Sequence, residues 1–457
     1  MLKKILRFFT FFLAFLLLLF VSLFTIPTEE SEEERAVIFQ ETMTNLKELN
    51  FDYQRDTNKI LKIGWAKRNI SPTEKSPFAG YGLARSRSAK LHDSLFVRAV
   101  AFENGKEKAV VIAFDLMLAP PLVIKKLSEK LPELGLKREN LFFTATHTHH
   151  GIGGWADGLV GIFIAGGYEG KITENIVNQT FKAIKEAQKN LQKSTVHFGQ
   201  ADAPEYVSSR LHEDNSLLDT KVRYLIIRQK EGKKACLFSY SAHATCTDGL
   251  LEEFGRDYAG EAVDYLEKER TAQKQVFDFA MFSAGTVASH TPKDFGLHNY
   301  EWTRHIGQGI AKKIEISGDT NKYSKSNTLF IRQLKIPVGE TNLRITPNIK
   351  LRNWAFQSLY PCTEIYISIL KIGNILWLGM PCDFSGEFMP HLTQLAEKQD
   401  TKLIITSFNG AYMGYVTPDK YYHQVHYETM EMNWLGKKGD TFSKMVEAII
   451  LSASKDN

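Results

Sequence analysis

Cysteine is scarce in this sequence of 457 residues, which contains four of them: Cys236, Cys246, Cys362 and Cys382. Small secreted folds that depend on disulfides carry a much higher density of cysteine. The scarcity therefore excludes a disulfide-stapled scaffold, even in an oxidising compartment. The spacing of the four residues leaves their pairing open.

A strong charge of either sign is also lacking. The formal net charge is +5, from 57 Lys and Arg against 52 Asp and Glu. No run of basic residues is interleaved with stacking aromatics, as a nucleic-acid-binding surface requires. The composition, 43% apolar and 24% charged, is instead typical of a globular protein with a substantial core. We expect no nucleic-acid partner.

The N-terminus carries a long hydrophobic run, Phe8–Ile26, preceded by Lys3, Lys4 and Arg7. The run approaches the roughly 20 residues that cross a bilayer. It exceeds a cleavable signal core, and no small-x-small site follows it, so residues 1–28 are predicted to form an uncleaved anchor. A cleaved signal and a secreted body is the alternative. Basic residues before the run and the acidic segment Glu29–Glu34 after it predict a cytoplasmic N-terminus and a periplasmic or extracellular body.

Residues 29–60 are predicted to form a stalk, with a polar helix over Arg35–Asn50 and a linker over Phe51–Lys59. Residues 61–457 contain no internal repeat, low-complexity tract or second linker, which favours one large domain. In this body, short β-rich runs alternate with helical ones. The predicted strands are Lys108–Leu118, Leu141–Thr148, Val222–Arg228, Ala235–Ser241, Thr328–Ile336 and Ile375–Gly379, and the predicted helices are Pro121–Leu131 and Ile172–Leu191. The fold class is therefore α/β or mixed α+β, with mixed sheets flanked by helices.

Histidines lie at the end of one of the predicted strands, in the segment Thr144–Gly154. The last four residues of this segment are Gly-Ile-Gly-Gly. Because side chains alternate along a strand, His147 and His149 are expected to point to the same side. The glycines would let the backbone approach a ligand closely. Adjacent histidines are also compatible with plain surface polarity.

Two further residues follow predicted strands in the same way. His243 comes after Ala235–Ser241, and Asp383 comes after the apolar run that ends at Pro381. Alone, His243 reads as a hydrogen-bonded structural histidine and Asp383 as a turn or helix-capping residue. Together, two histidines and a carboxylate fit a catalytic zinc site at the strand ends, with one position left for water.

These motifs resemble the catalytic domain of the neutral (non-lysosomal) ceramidases over residues 61–440. The resemblance is distributed over Phe78–Leu83, His92–Ala99, Thr146–His149 and the tyrosine-rich segment Asn409–Glu428, which is the most specific. Asp383 stands where the family carries a glutamate that is one methylene longer. We expect residues 61–457 to form the catalytic domain of that family alone, without its C-terminal β-sandwich.

The resemblance implies roles for eight residues. Zinc would be surrounded by His147, His243, Asp383 and Tyr415, while the substrate would be handled by His149, Arg210 and Tyr427, with Ser289 lining the site. Without the resemblance, Tyr415 would be interpreted as a packing residue, because phenolate is not a usual zinc donor. Arg210 would be interpreted as a solvated surface charge.

The implied chemistry is hydrolysis of an amide. Zinc lowers the pKa of bound water, His149 could accept the proton of that water, and Tyr427 or Arg210 could stabilise the developing oxyanion. A covalent mechanism through Ser289 is a less favoured alternative. Cys246 and Cys382, each near a proposed ligand, could pair with one another or contact the metal.

The expected activity is release of a fatty acid and a sphingoid base from ceramide-like N-acyl lipids. The apolar, glycine-rich loop Gly151–Gly170 is expected to form a hydrophobic mouth for an acyl chain, or alternatively an ordinary buried loop. Another N-acyl or ester substrate is the alternative activity. A non-catalytic lipid- or metal-binding surface protein is the alternative from a different functional class.

Overall fold

Two β-sheets stacked face to face form the centre of the fold. The computed structural model describes residues 2–28, 31–49, 51, 60–82, 86–105, 107–212, 217–268, 277–314, 328–337, 339–360 and 365–454. Most of the predicted linker Phe51–Lys59 lies outside the described residues, and so does Cys362.

Helices and short strands are interspersed along the chain. The α-helices of the described residues are α1 (Leu2–Phe24), α2 (Glu32–Glu48), α3 (Pro121–Lys130), α4 (Gly158–Ala165), α5 (Gly170–Lys189), α6 (Asp257–Lys268), α7 (Asn299–Lys312), α8 (Asn353–Leu359), α9 (Met389–Glu397) and α10 (Gly439–Ser454). The first strands are β1 (Thr25–Pro27), β2 (Lys62–Asn69), β3 (Lys90–Leu91), β4 (Phe96–Asn104), β5 (Glu107–Phe114), β6 (Leu141–Ala145), β7 (Gln192–Asp202), β8 (Val207–Ser209), β9 (Lys221–Gln229) and β10 (Lys234–Tyr240). The later strands are β11 (Glu253–Phe254), β12 (Phe279–Ala284), β13 (His290–Pro292), β14 (Leu329–Ile336), β15 (Arg344–Thr346), β16 (Ile349–Leu351), β17 (Ile365–Ile372), β18 (Ile375–Gly379), β19 (Asp383–Phe384), β20 (Lys402–Thr406) and β21 (Tyr415–Val416).

The larger sheet has eight strands in the order β12-β10-β9-β7-β2-β4-β5-β6. Most neighbouring pairs are antiparallel, but β5 with β6 and β10 with β12 are parallel. The sheet curls, so that its edge strands β6 and β12 approach each other. Residues that follow opposite edges of the sheet are therefore brought together.

The smaller sheet has four strands in the order β14-β17-β18-β20 and packs on the larger one. Residues such as Trp65, Phe142, Leu370 and Trp377 fill the space between the sheets, with the rings of Phe142 and Trp377 5.1 Å apart. Strands covered on both faces need apolar side chains at nearly every position, which explains the Ile-Tyr-Ile-Ser-Ile-Leu-Lys-Ile sequence of β17.

Helices cover the outer faces of both sheets and complete four layers. On the larger sheet, α5 buries Ile176, Val177, Ala183 and Ile184 at the three- and four-residue spacing of one helix face. On the smaller sheet, α9, α10 and α2 pack in the same way, and Ile38 and Leu46 of α2 belong to that core. The predicted stalk region therefore includes a helix in contact with the body.

The predicted fold class, mixed sheets flanked by helices, is confirmed. Strand β18 and helix α3 lie within a residue of their predicted bounds. The strand predicted over Leu141–Thr148 is shorter, since β6 ends at Ala145. The loop Gly151–Gly170 contains a helix, α4.

Candidate functional site

His147 occupies an unusual backbone conformation directly after β6. Its φ is 62°, a left-handed value that costs a non-glycine residue free energy and is concentrated at functional sites. The conformation is held by a hydrogen bond from its amide to Leu116 O (3.0 Å) and by the ring, which stacks on Phe408 at 4.1 Å. The ring Nδ1 lies 2.6 Å from Met117 O, so Nδ1 carries the proton and Nε2 presents a lone pair.

His149 lies beside it, with the two Nε2 atoms 3.3 Å apart. The two rings converge, although not by strand alternation, because the strand ends before His147 and a left-handed turn follows it. Gly80 makes room for the second ring, since a Cβ at Gly80 would come within 2.9 Å of three atoms of His149. The glycines of the histidine segment allow close packing. Gly151 packs on Leu116, and a side chain at Gly153 or Gly154 would collide with Ala165 or Ile172, respectively. These glycines are therefore required by packing, and their role in approaching a ligand stays a prediction.

His243 reaches the same point from the other edge of the larger sheet, three residues after β10. Its Nδ1 lies 3.2 Å from Val287 O, which again leaves Nε2 as the free lone pair. The Nε2 atoms of His243 and His147 are 2.7 Å apart. Two lone pairs facing each other at this distance repel unless a cation lies near both of them.

Asp383 enters from the smaller sheet, at the start of β19, and is fully buried. Its Oδ1 lies 3.7 Å from Nε2 of His147 and 4.0 Å from Nε2 of His243. Its Oδ2 accepts a hydrogen bond of 2.7 Å from Tyr412. Tyr415, paired with Asp383 in the β19–β21 ladder, brings its hydroxyl to 3.1 Å from Nε2 of His243.

These donors fit a zinc ion. The nearest ligand atoms of His147, His149 and His243 lie within 4.8 Å of one another. Asp383 Oδ1 is buried and has no hydrogen-bond partner among the described residues, although a buried carboxylate oxygen normally has one. Zinc ligands at bond lengths of about 2.0–2.1 Å in a tetrahedron are about 3.3 Å apart, and the separations of 2.7–4.0 Å bracket that value.

Burial controls the protonation of the cluster. It lowers the pKa of His147 to about 3 and that of His243 well below its ordinary value, and both rings are neutral at pH 7. Burial also raises the pKa of Asp383 to about 7, against the hydrogen bond from Tyr412 and the charge of Arg210. Neutral imidazole is the form that binds a metal, and a cation beside Asp383 would favour its carboxylate.

Arg210 and Tyr427 line the cavity next to these ligands. The Arg210 guanidinium is 3.1 Å from the carboxylate of Glu428, which fixes its position. Burial raises the pKa of Tyr427 to about 12, so its hydroxyl keeps its proton and can donate a hydrogen bond. The rings of Tyr427 and Tyr415 meet edge to face at 5.7 Å.

Ser289 is not among the described residues that line the cavity. Its hydroxyl is completely buried and lies 2.7 Å from Ser385 Oγ and 2.9 Å from His290 Nδ1. Its carbonyl accepts a hydrogen bond of 2.9 Å from the Arg210 amide. These contacts make Ser289 a support for Arg210.

The cavity has a volume of about 340 Å³ and opens to the surface. Beside the polar residues it is lined by Met117, Leu118, Phe163, Ile164 and Met432. Phe163 and Ile164 belong to α4, so part of the predicted apolar mouth does border the cavity. Leu159 and Ile162 of the same helix are 66% and 47% exposed and do not line it.

The two cysteines near the ligands do not pair. Cys246 and Cys382 are free, buried thiols, and burial raises the pKa of each well above its ordinary value. Of the two alternatives left open by the sequence, pairing of Cys246 with Cys382 is therefore not observed. Tyr412 and Phe408, by contrast, contact proposed ligands and were not predicted, although Tyr412 lies in the tyrosine-rich segment three residues before Tyr415.

Known proteins share both the sequence pattern and the fold. The family model described as neutral/alkaline non-lysosomal ceramidase, N-terminal, matches residues 61–297, which is just over half of the chain. The neutral ceramidase from Pseudomonas aeruginosa is similar over 86% of this chain and 75% of its own, with a TM-score of 0.73 and 19% identity. A ceramidase complexed with C2 has a TM-score of 0.72 and 18% identity over the same shares of the two chains.

Proposed function

Because the chain belongs to the neutral/alkaline non-lysosomal ceramidase family, we propose that it is a zinc-dependent hydrolase of the amide bond in ceramide-like N-acyl sphingoid lipids. The observation that carries the proposal is the convergence of three chain regions on one point. His147, His243 and Asp383 follow strands from both sheets and leave their free nitrogen and oxygen atoms facing each other.

We propose that His147, His243, Asp383 and Tyr415 hold the metal. The carbonyls of Met117 and Val287 orient the two imidazoles through Nδ1, which is the arrangement common to metal-binding histidines. Zinc bound here would act as a Lewis acid that lowers the pKa of a water molecule towards neutrality.

The remaining polar residues would handle protons and charge. His149 is adjacent to the proposed ligands and half-buried, so it can accept the proton of the attacking water and return it to the leaving amine. Tyr427 keeps its proton at neutral pH, and it can donate to the oxygen that becomes negative as the carbonyl is attacked. Arg210, fixed by Glu428, would add positive charge on the same side.

The lining of the cavity supports a lipid substrate. Its volume of about 340 Å³ lies in the range of pockets that enclose small ligands. Apolar side chains such as Met117, Phe163 and Met432 offer an acyl chain a surface beside the polar cluster.

We also propose that α1 anchors the protein in a membrane, with the body on the outer side. Within the described residues, one helix, Lys3–Phe24, is long and apolar enough to span a bilayer, and none of it is buried in the fold. The division into anchor, residues 29–60 and a catalytic domain over 61–457 is part of the same proposal.

The test is hydrolysis by the purified full-length chain. We expect stoichiometric zinc and release of fatty acid from an N-acyl sphingoid base, both abolished by a chelator and restored by zinc. His197→Ala is a matched control, because it removes a histidine from β7 that does not line the cavity. Zinc binding without turnover of any N-acyl lipid would contradict the proposed activity and leave a binding role.

A further inference from the structure

The end of the anchor helix is built into the body of the protein. Strand β1, which follows α1 without a break, pairs antiparallel with β16, with Ile26 opposite Lys350. The Arg352 amide donates to Phe24 O at 2.8 Å, and the ring of Phe24 lies 5.0 Å from that of Trp354. The point at which α1 leaves the bilayer is therefore fixed relative to the fold.

One path leads from this point to the cavity through two helices. Helix α8 begins directly after β16, and its other end contacts α4. The Leu359 carbonyl lies beside Gly158, the first residue of α4. Helix α4 supplies Phe163 to the wall of the cavity.

A second path leads to the cavity through Tyr427. Strand β15 pairs with β16 and contacts the segment Tyr427–Glu431. The side chain of Arg344 in β15 donates to the carbonyl of Tyr422 at 2.7 Å. Tyr427 lines the cavity beside Tyr415. A continuous chain of contacts therefore connects the anchor, the β1-β16-β15 sheet and the cavity.

Exposed apolar side chains mark both paths. We define the apolar rim as Leu159 (66% exposed), Ile162 (47%), Ile345 (51%), Trp354 (51%) and Val425 (63%). These residues lie on α4, α8 and β15 and in the segment between Tyr422 and Tyr427. Exposed large apolar side chains on contacting elements mark an interaction surface. The rim continues the apolar surface of α1 through the contact between Phe24 and Trp354.

We propose that the apolar rim lies in the interface of the bilayer that α1 spans, so that lipid substrate enters the cavity directly from that leaflet. Helix α1 has 23 residues, about 35 Å at 1.5 Å per residue, enough for a hydrocarbon core of about 30 Å. Its C-terminal end would therefore lie at the membrane surface, where β1 connects it to β16 and, through β16, to the elements that carry the rim. Aromatic and aliphatic side chains at such a boundary are stabilised by partial burial among the lipids.

This inference rests on the proposed lipid hydrolysis for its function, but the surface can be tested separately. Full-length protein is reconstituted into phosphatidylcholine vesicles and assayed on two N-acyl sphingoid bases. One has a long acyl chain and resides in the bilayer, and the other has a short acyl chain and is added from water.

The first measurement compares the two substrates. We expect the double variant Leu159→Glu and Ile162→Glu to lower turnover of the long-chain substrate by about tenfold or more, because two apolar contacts with lipid are replaced by charges. Turnover of the short-chain substrate stays within about twofold, because neither residue lines the cavity. Leu451→Glu is the control, because Leu451 is 39% exposed but distant from the site. It lies in the last turn of α10, which contacts β17 near the β17–β18 turn, and Asp383 follows the opposite end of β18.

The second measurement does not depend on activity. Lipids with a nitroxide on the upper acyl chain quench tryptophans that reach the bilayer interface. The chain has six tryptophans, and we expect Trp354→Phe to remove most of the quenching observed in the wild type. Loss of most of the quenching in Trp354→Phe supports the proposed rim.

The outcomes separate the two proposals. Equal turnover changes on both substrates, or quenching that Trp354→Phe leaves unchanged, would overturn the membrane-facing rim. A second copy of the chain could instead cover the rim, which would prevent quenching and would be detected by cross-linking through Leu159→Cys. That result would overturn the proposal as well. No hydrolysis of either substrate by the wild type, with Trp354 quenched, would reject the proposed function and retain the rim.

Discussion

Removal of a single hydroxyl group, in Tyr412→Phe, tests whether the shorter carboxylate at position 383 is a metal ligand. Tyr412 donates a hydrogen bond of 2.7 Å to Asp383 Oδ2, while Oδ1 of the same carboxylate faces His147 and His243. The hydroxyl thus holds the carboxylate with one oxygen aimed at the two imidazoles. Tyr412 is therefore a positioning residue.

The expected loss follows from the burial and charge of this hydrogen bond. A hydrogen bond to a charged group contributes about 1.5–3 kcal/mol. Loss of a partner that orients a metal ligand typically lowers metal affinity by about 10–100-fold, which corresponds to about 1.4–2.7 kcal/mol. The two ranges agree, and we expect Tyr412→Phe to weaken zinc binding by about 10–100-fold.

The assay is competition for zinc against a chromogenic chelator at pH 7, together with urea unfolding of the same samples. Tyr240→Phe is the matched control, because that buried hydroxyl donates to Ala203 O at 2.6 Å and not to a proposed ligand. Both variants should lose about 0.5–1.5 kcal/mol or more of stability without metal, but only Tyr412→Phe should lose affinity for zinc. Wild-type zinc affinity in Tyr412→Phe would refute the assignment of Asp383 as a positioned ligand.

Three further predictions concern the cluster and its support. His147→Ala and His149→Ala should each lower amide hydrolysis by about 100-fold or more, with zinc content lost in the first and kept in the second. If His149→Ala also loses zinc, His149 is a ligand and not the base. Ser289→Ala should keep kcat within about threefold and lower the free energy of unfolding in urea by about 0.5–1.5 kcal/mol, because its hydroxyl contacts neighbouring buried side chains. A loss of hydrolysis above about 100-fold would instead favour Ser289 as a nucleophile. Burial alone would raise the pKa of Asp219, but the charge of Arg223 and hydrogen bonds outweigh it and hold the pKa below its ordinary value. Its contribution to stability is therefore complete above about pH 4 and is lost as pH falls through the folded-state pKa, and Asp219→Asn should show a smaller acid-induced fall in urea midpoint than the wild type.

Much of the fold was predictable because its strands are buried on both faces and read as apolar runs. The apolar residues of β18 favour a buried strand, and Pro121 marks the start of α3. The order of strands within the sheets was not predictable. It depends on contacts between runs that are far apart in the chain, which no local pattern records.

The sequence predicted which residues form the site better than it predicted how they are arranged. Six proposed residues around the metal and the substrate line one cavity, and Asp383 lies next to it. The six are His147, His149, Arg210, His243, Tyr415 and Tyr427. The left-handed turn at 147 and the curl of the larger sheet were not predictable, because both arise from packing of the whole domain. The pairing of β1 with β16 was missed for a similar reason, since three residues after a hydrophobic helix carry no strand signal of their own.

The curl of the larger sheet has a consequence for the time at which the protein becomes active. His147 and His243 follow strands in the first part of the chain, whereas Asp383, Tyr415 and Tyr427 are made much later. The pocket does not exist until the segment after β18 has been made and has packed against the edge strands β6 and β12. The proposed hydrolase would therefore stay inactive until the last part of its chain has been made and has folded onto the first.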